Sequence, residues 1–242
     1  MFIITANVAA IEPNISAKFS IFNYIFNLDI ILYKKGYLMK IIALSDTHTN
    51  HDKIILLESD ILIHAGDYSN SRIYTEYEFY SFINWFEKQP AKHKIFISGN
   101  HDFFAFHNLE TVINESKKRN IIYLQDNSIV IDGLKIHGSP WVPIFYDWAY
   151  MKEDFLLDRF YKEISADTDL LITHGPPFKI LDKTFRKEHA GSHMLKHYLR
   201  KINPLIHIFG HIHESSGHLE RFNTNFYNVS SVPKKLYQEI YI

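Results

Sequence analysis

A chain of 242 residues, 46% hydrophobic and 22% charged, is long enough to bury one sizeable core and too apolar to be a disordered tail. Its 26 Lys and Arg against 27 Asp and Glu leave a formal charge of -1, so no basic surplus exists to hold a nucleic-acid polymer by counterion release. Cysteine is absent, which excludes disulfides and thiolate metal sites; any metal must be held by nitrogen and oxygen, and 15 histidines supply the nitrogen.

Residues 1–38 come first. Their run FSIFNYIFNLDIILY is apolar but too short for a bilayer span, and Asp29 and two asparagines interrupt it. No basic segment precedes it and no small-residue cleavage site follows, so it does not read as a signal peptide. It reads as an N-terminal extension, with a start at Met39, or as an amphipathic helix that docks on the body or on a partner. Neither a span nor a leader is expected, and the expected location is the cytoplasm, with no membrane partner.

From Lys40 onward short apolar runs alternate with helical stretches, the pattern of a layered α/β domain over 39–242. Strands are expected at Lys40–Leu44, Ile61–His64, Lys94–Ser98, Ile121–Leu124, Ser128–Ile131, Leu134–His137, Leu170–Thr173 and Leu205–Phe209, and near Phe226–Val229 and Tyr237–Ile242. Tyr74–Lys88 puts Phe79, Phe82, Ile83 and Phe86 on one helical face. Further helices are expected over Leu109–Lys118, Lys152–Ile164 and Ser192–Lys201. No repeat, linker or long charge run marks a second domain.

Five strands end the same way: an apolar run, then a polar residue able to bind metal, usually beside a glycine that lets the backbone turn or approach closely. Asp46 and His48 follow the first, Asp67 follows Gly66, Asn100 and His101 follow Gly99, His174 precedes Gly175, and His211 and His213 follow Gly210. In open α/β sheets ligands bind at the carboxyl ends of strands, so these exits can converge on one point. Asp46, His48, Asp67, Asn100, His174, His211 and His213 make seven ligands; with Asp67 shared, each of two ions receives four. Imidazole, carboxylate and amide without sulfur suit Mn first, with Fe, Zn or Co as alternatives.

Taken together, Asp46-x-His48, Gly66-Asp67, Gly99-Asn100-His101-Asp102, His174 and Gly210-His211-x-His213 resemble the five motifs of the calcineurin-like metallophosphoesterases, in that superfamily's order. GSPWVPIFYDWAY (138–150) and ITHGPPFKILDK (172–183) further resemble its small metallophosphoesterase-domain branch, which contains phosphodiesterases. The resemblance implies a four-layer α-β-β-α sandwich of two mixed β-sheets flanked by helices. It also implies Asp46, His48, Asp67 and His213 on one ion and Asp67, Asn100, His174 and His211 on the other.

On this reading the chain hydrolyses a small phosphodiester, such as a cyclic nucleotide, with His101 as general acid or as electrostatic stabiliser of the leaving oxygen. A phosphomonoesterase is the alternative, and a non-catalytic protein-binding scaffold of the same fold a further one. Protein phosphatases of the superfamily carry an acid three residues after the ligand corresponding to Asp67, then Arg; here those positions hold Asn70 and Ser71, with Arg72 one place late. This departure favours a small diester over a phosphoprotein. Trp141, Pro143, Phe145 and Trp148 form a proline-stiffened aromatic loop, read either as core covering or as a lip that stacks on substrate, with Trp141 and Trp148 as the substrate-binding candidates. Asp102 is read as satisfying turn amides, with a buttress to a ligand histidine or to His101 as the alternative, and His64 and His207 as core or ligand-orienting histidines.

Overall fold

In the computed structural model, residues 38–231 and 236–242 are described; the expectation for the N-terminal extension lies, but for Leu38, outside them. β1 (Lys40–Leu44), β2 (Ser59–Ala65), β3 (Ala91–Ile97) and β4 (Ile122–Tyr123) run parallel in one sheet. β5 (Asn127–Ile131), β6 (Leu134–Ser139), β9 (Leu170–Thr173), β10 (Ile206–Phe209), β11 (Gly217–Arg221) and β12 (Thr224–Asn228) build a second, in the order β11-β12-β10-β9-β6-β5. β7 (Val142–Pro143) and β8 (Met151–Lys152) form a short separate ribbon, and β13 (Gln238–Tyr241) returns to pair antiparallel with β1. Both large sheets are mixed: β6, β9, β10 and β12 are mutually parallel, while the β5 and β11 edges are antiparallel.

Side chains alternate faces along a strand, and both faces of these strands are buried. Ile42, Leu44, Leu62 and Phe96 pack with Phe79, Phe82, Ile83 and Phe86 of α1 (Thr75–Glu87). The same cluster takes in Phe104 of α2 (Phe103–His107) and Val112 of α3 (Leu109–Lys118). Their neighbours Ile41, Ala43, Ile61, Ile63, Ile95 and Ile97, all buried, turn to the other side, where the second sheet lies. There Gly138 of β6 meets β3 so closely that a Cβ would sit 2.7 Å from Ile97 Cγ2. On the outer face of the second sheet, Leu171, Phe209 and Phe226 pack under Leu195, Leu199 and Ile202 of α5 (His193–Ile202). Helix, sheet, sheet and helix are thus stacked as expected.

α5 shows why its segment is helical. Leu195, Leu199 and Ile202 recur at i, i+4 and i+7, the Ser192 hydroxyl accepts the Leu195 N–H at 2.9 Å, and Asn203 closes the helix in the left-handed region. The expected helix over Lys152–Ile164 is instead broken. Met151–Lys152 join the ribbon, Asp154–Leu157 form a 3₁₀ turn, and only α4 (Asp158–Tyr161) is α-helical. Asp154 opens this 3₁₀ turn, and its carboxylate accepts the His193 N–H at 3.0 Å and the Met194 N–H at 3.2 Å, capping α5. No helix among the described residues is long and apolar enough to cross a membrane.

Candidate metal centre

The seven expected ligands follow β1, β2, β3, β9 and β10, and the structure brings them together. The His211 backbone N–H donates to both Asp46 carboxylate oxygens, at 3.1 and 3.0 Å. His213 Nε2 stands 3.3 Å from Asp46 Oδ1 and 3.4 Å from His48 Nε2. Across the site His174 Nε2 is 3.3 Å from Asp67 Oδ2 and 3.0 Å from Asn100 Oδ1. Ligand atoms of Asp46, His48 and His213 lie within 4.8 Å of one another, as do those of Asp67, His174 and His211, and Asp67 forms a third such group with His48 and His101.

Backbone strain sets the exits. Asp46 (φ 54°), His48 (φ 41°), Asp67 (φ 59°) and His211 (φ 72°) all occupy the left-handed region, which costs a non-glycine residue about 1–2 kcal/mol each. The turns expected of the neighbouring glycines are therefore taken largely by the ligands themselves. What over-determines them is a zipper between the first two exits: Asp46 N–H to Gly66 O at 2.9 Å, His48 N–H to Asp67 O at 3.1 Å and Thr49 N–H to Tyr68 O at 2.9 Å. The buried Asp102 carboxylate holds the third exit to the second, accepting the N–H groups of Gly99 (2.7 Å), Asp67 (2.9 Å) and Ser69 (3.0 Å). Gly99 is needed for close approach, because a Cβ there would collide with Asp67 Oδ1 and lie 2.6 Å from His174 Cε1.

Ring orientation is settled by the remote nitrogens. His174 Nδ1 donates to Ala65 O at 2.9 Å and His48 Nδ1 to Ser69 O at 3.0 Å, leaving each Nε2 lone pair for a cation. The field of the site asks for one. Burial alone would raise the Asp46 and Asp67 carboxyls, yet the surrounding histidines hold both well below the usual carboxylate range. Burial would likewise lower His174, but Asp67 raises it to about 9. Two ionised, buried carboxylates facing neutralisable imidazoles, with no sulfur in reach, fit hard-to-borderline divalent cations.

His101 stands at the edge of this set. Its backbone N–H donates to Asp67 Oδ1 at 2.7 Å, its Nε2 is 4.0 Å from Asp67 Oδ2, and its ring lies 4.7 Å from that of His48 and 4.2 Å from that of Trp148. Burial lowers its pKa while Asp67 pulls it upward. A cleft of about 240 Å³ opens here between His48, Asp67, Asn100, His101, His211 and His213, with Phe145 and Glu214 completing its wall.

The aromatic loop divides. Trp148 lies between His101 and the Arg72 guanidinium, which stacks 4.4 Å from its ring, and Phe145, 51% exposed, reaches to 5.5 Å from the His211 ring. Trp141 does not reach the cleft. It is buried, stacked 4.1 Å from Phe160, with its indole N–H donating to Asp126 at 2.7 Å. The substrate-binding reading of Trp141 is corrected accordingly: the indole found a buried apolar bed and a partner for its N–H. Glu214 was not anticipated; an acid directly after the last ligand was its only signal.

Arg72, one place beyond its position in the phosphatases, is used for stacking, and the Asn70 and Ser71 amides are held by the buried Glu78 carboxylate at 2.9 and 3.0 Å. His64 and His207 are core histidines on the outer faces of the two sheets, bonded to Thr47 (3.1 Å) and Thr173 (2.8 Å), the neighbours of candidate ligands.

Residues 39–215 match the model of the family described as calcineurin-like phosphoesterase. A human protein called metallophosphoesterase domain-containing protein 1 is 34% identical over 220 residues, covering 81% of this chain and 66% of its own length. A Caenorhabditis elegans UPF0046 protein is 33% identical over 208 residues, covering 81% of this chain and 71% of its own. The chain thus spans just under two thirds of the human relative. Among solved structures, TT1561 of Thermus thermophilus superposes with a TM-score of 0.61 at 13% identity, over 79% of this chain and 89% of that one, a likeness of fold.

Proposed function

The chain belongs to the calcineurin-like phosphoesterase family, and on that premise we propose that it is a metal-dependent phosphodiesterase acting on small diesters, cyclic nucleotides among them, through two divalent cations, Mn first. The observation that carries this reading is Asp67, whose carboxylate lies within ligand distance of residues from both halves of the site, His48 on one side and His174 and His211 on the other. Such a pair, when bound, polarises phosphoryl oxygens and activates water at neutral pH.

The chain's own residues do the rest. Asp46, His48 and His213 would hold one cation, and Asn100, His174 and His211 the other, with Asp67 between them. His101 offers Nε2 on the Asp67 side of the cleft, where it can pass a proton to a departing alkoxide. Trp148 packs against the His101 ring and limits its rotation, and Phe145 presents an apolar wall on the opposite, His211 side. A diester leaving group with a flat or apolar body finds contact on these rings.

The test is hydrolysis of bis-p-nitrophenyl phosphate and of the mono-ester, each with Mn²⁺ and with chelator, beside an Asp67→Ala control. Chelator-sensitive diester cleavage absent from the control is expected. Faster turnover of the mono-ester would replace this reading with a phosphomonoesterase, and no metal-dependent turnover of either would leave a scaffold.

A further inference from the structure

A second cavity, of about 390 Å³, lies against α5 and the β11–β12 hairpin, and none of its lining residues belongs to the metal centre. Its size is within the range of about 300–1,000 Å³ typical of small-molecule pockets. Its floor is hydrocarbon, from Ile180, Leu199 and Phe226. Two cations line it, Lys196 and Arg200, one turn apart on α5, and Phe222, a further lining residue, carries the guanidinium of Arg221 4.7 Å from its ring.

No carboxylate lines this cavity. Among the described residues neither Lys196 nor Arg200 is ion-paired; Lys196 only lies 5.4 Å over the Phe178 ring. Two like charges at i and i+4 repel; the C-terminal end of the helix dipole favours Arg200 in the last turn but not Lys196 a turn earlier.

Phe222 adds an independent observation. With Asn223 it forms the hairpin tip, and both are left-handed, at φ 56° and 63°. Asn and Gly adopt that conformation readily, whereas a bulky aromatic residue is strained there. The ring nevertheless stays 65% exposed on the rim of the cavity, without the burial that would offset the strain.

We infer that this cavity binds an anion with an apolar body, its acidic head on Lys196 and Arg200 and its hydrocarbon on Leu199, Phe222 and Phe226. A base-like ligand fits poorly, because the Thr224 hydroxyl already gives its proton to Pro204 O at 2.7 Å and, among the neutral side chains of the lining, only Asn203 keeps a donor for a base edge. A carboxylate or a phosphate head carries the same chemistry, and the probes separate them.

Calorimetric titration of the full chain with dodecanoate, dodecyl phosphate and dodecanol, each below its micelle concentration, tests the site. Saturable binding of at least one acid is expected, weakened about tenfold or more in the Lys196→Gln/Arg200→Gln double variant. Cleavage of bis-p-nitrophenyl phosphate by that variant should be unchanged. Phe222→Asn separates binding from folding, since relief of the turn should raise Tm while the acid binds more weakly. The inference is overturned by any of four results: no saturable binding of either acid, equal binding of dodecanol, binding undiminished in Phe222→Asn, or binding that Asp67→Ala removes and the double variant keeps, which would place the acid at the metal centre.

Discussion

The Asp102 carboxylate accepts the backbone N–H of Asp67 at 2.9 Å, so this candidate metal ligand is held in its left-handed conformation by a residue outside the candidate set. With its bonds to Gly99 and Ser69, Asp102 gathers the exits of β2 and β3 into one rigid turn.

Asp102→Ala leaves three buried N–H groups without partners, at about 1–3 kcal/mol each. Asp102→Asn keeps the shape and one acceptor oxygen. We expect Asp102→Asn to weaken Mn²⁺ binding by about 10–100-fold. Metal titration followed by calorimetry decides it; unchanged affinity would mean the exits hold themselves.

His101→Gln separates proton donation from charge stabilisation. If Nε2 delivers a proton, the variant loses about 10² to 10⁴ in rate on alkyl phosphodiesters and much less on nitrophenyl esters, whose leaving group needs no proton. Equal losses on both would assign His101 to electrostatics.

Acid stability follows from histidines buried in neutral form. Burial pushes His207 down to about 3, and its Nε2–H donates to Thr173, whose own hydroxyl proton is given to Gly175 O. His64 is pushed to about 3, and His51 and His137 to about 4, by the same cause. The unfolded chain takes up protons on these rings below its ordinary value of 6.5, and the folded chain does not. The share of stability that depends on these four rings is therefore complete above 6.5 and falls as pH drops toward 3, by about 1.4 kcal/mol per pH unit for each ring. Urea unfolding between pH 7 and 5 should show this slope, with His207→Leu shallower by one proton; parallel slopes would contradict it.

Phe82 joins the core to the site. Fully buried in α1, it stacks 4.3 Å from Tyr68, the residue after Asp67, and lies 4.9 Å from His64. Phe82→Ala should cost about 3–5 kcal/mol, lowering Tm by on the order of 10 °C. A loss below about 1 kcal/mol in denaturant unfolding would mean that the cavity closes.

What the chain determined by itself was local. An apolar run that breaks into Asp, His or Asn is legible wherever it occurs, because strand burial and metal ligation each demand particular residue types at adjacent positions. That is why the seven candidate ligands and His101 stood out in the order in which the strands carry them. The face of α1 was equally readable from Phe79, Phe82, Ile83 and Phe86.

Tertiary structure decided what depends on partners distant in sequence. Runs buried on both faces, such as Ile41–Leu44 and Leu170–Thr173, look alike, so only the closed sandwich assigns β1 to one sheet and β9 to the other. Asp154 caps α5 only because the N-terminus of α5, about 40 residues later in the chain, lies within reach of its carboxylate. Trp141 and Trp148 share a loop and a residue type, but Phe160 and Asp126 drew one into the core while Arg72 and His101 held the other at the cleft. Burial and hydrogen-bond supply at a position belong to the surroundings the fold assembles, and these four partners enter only when it closes.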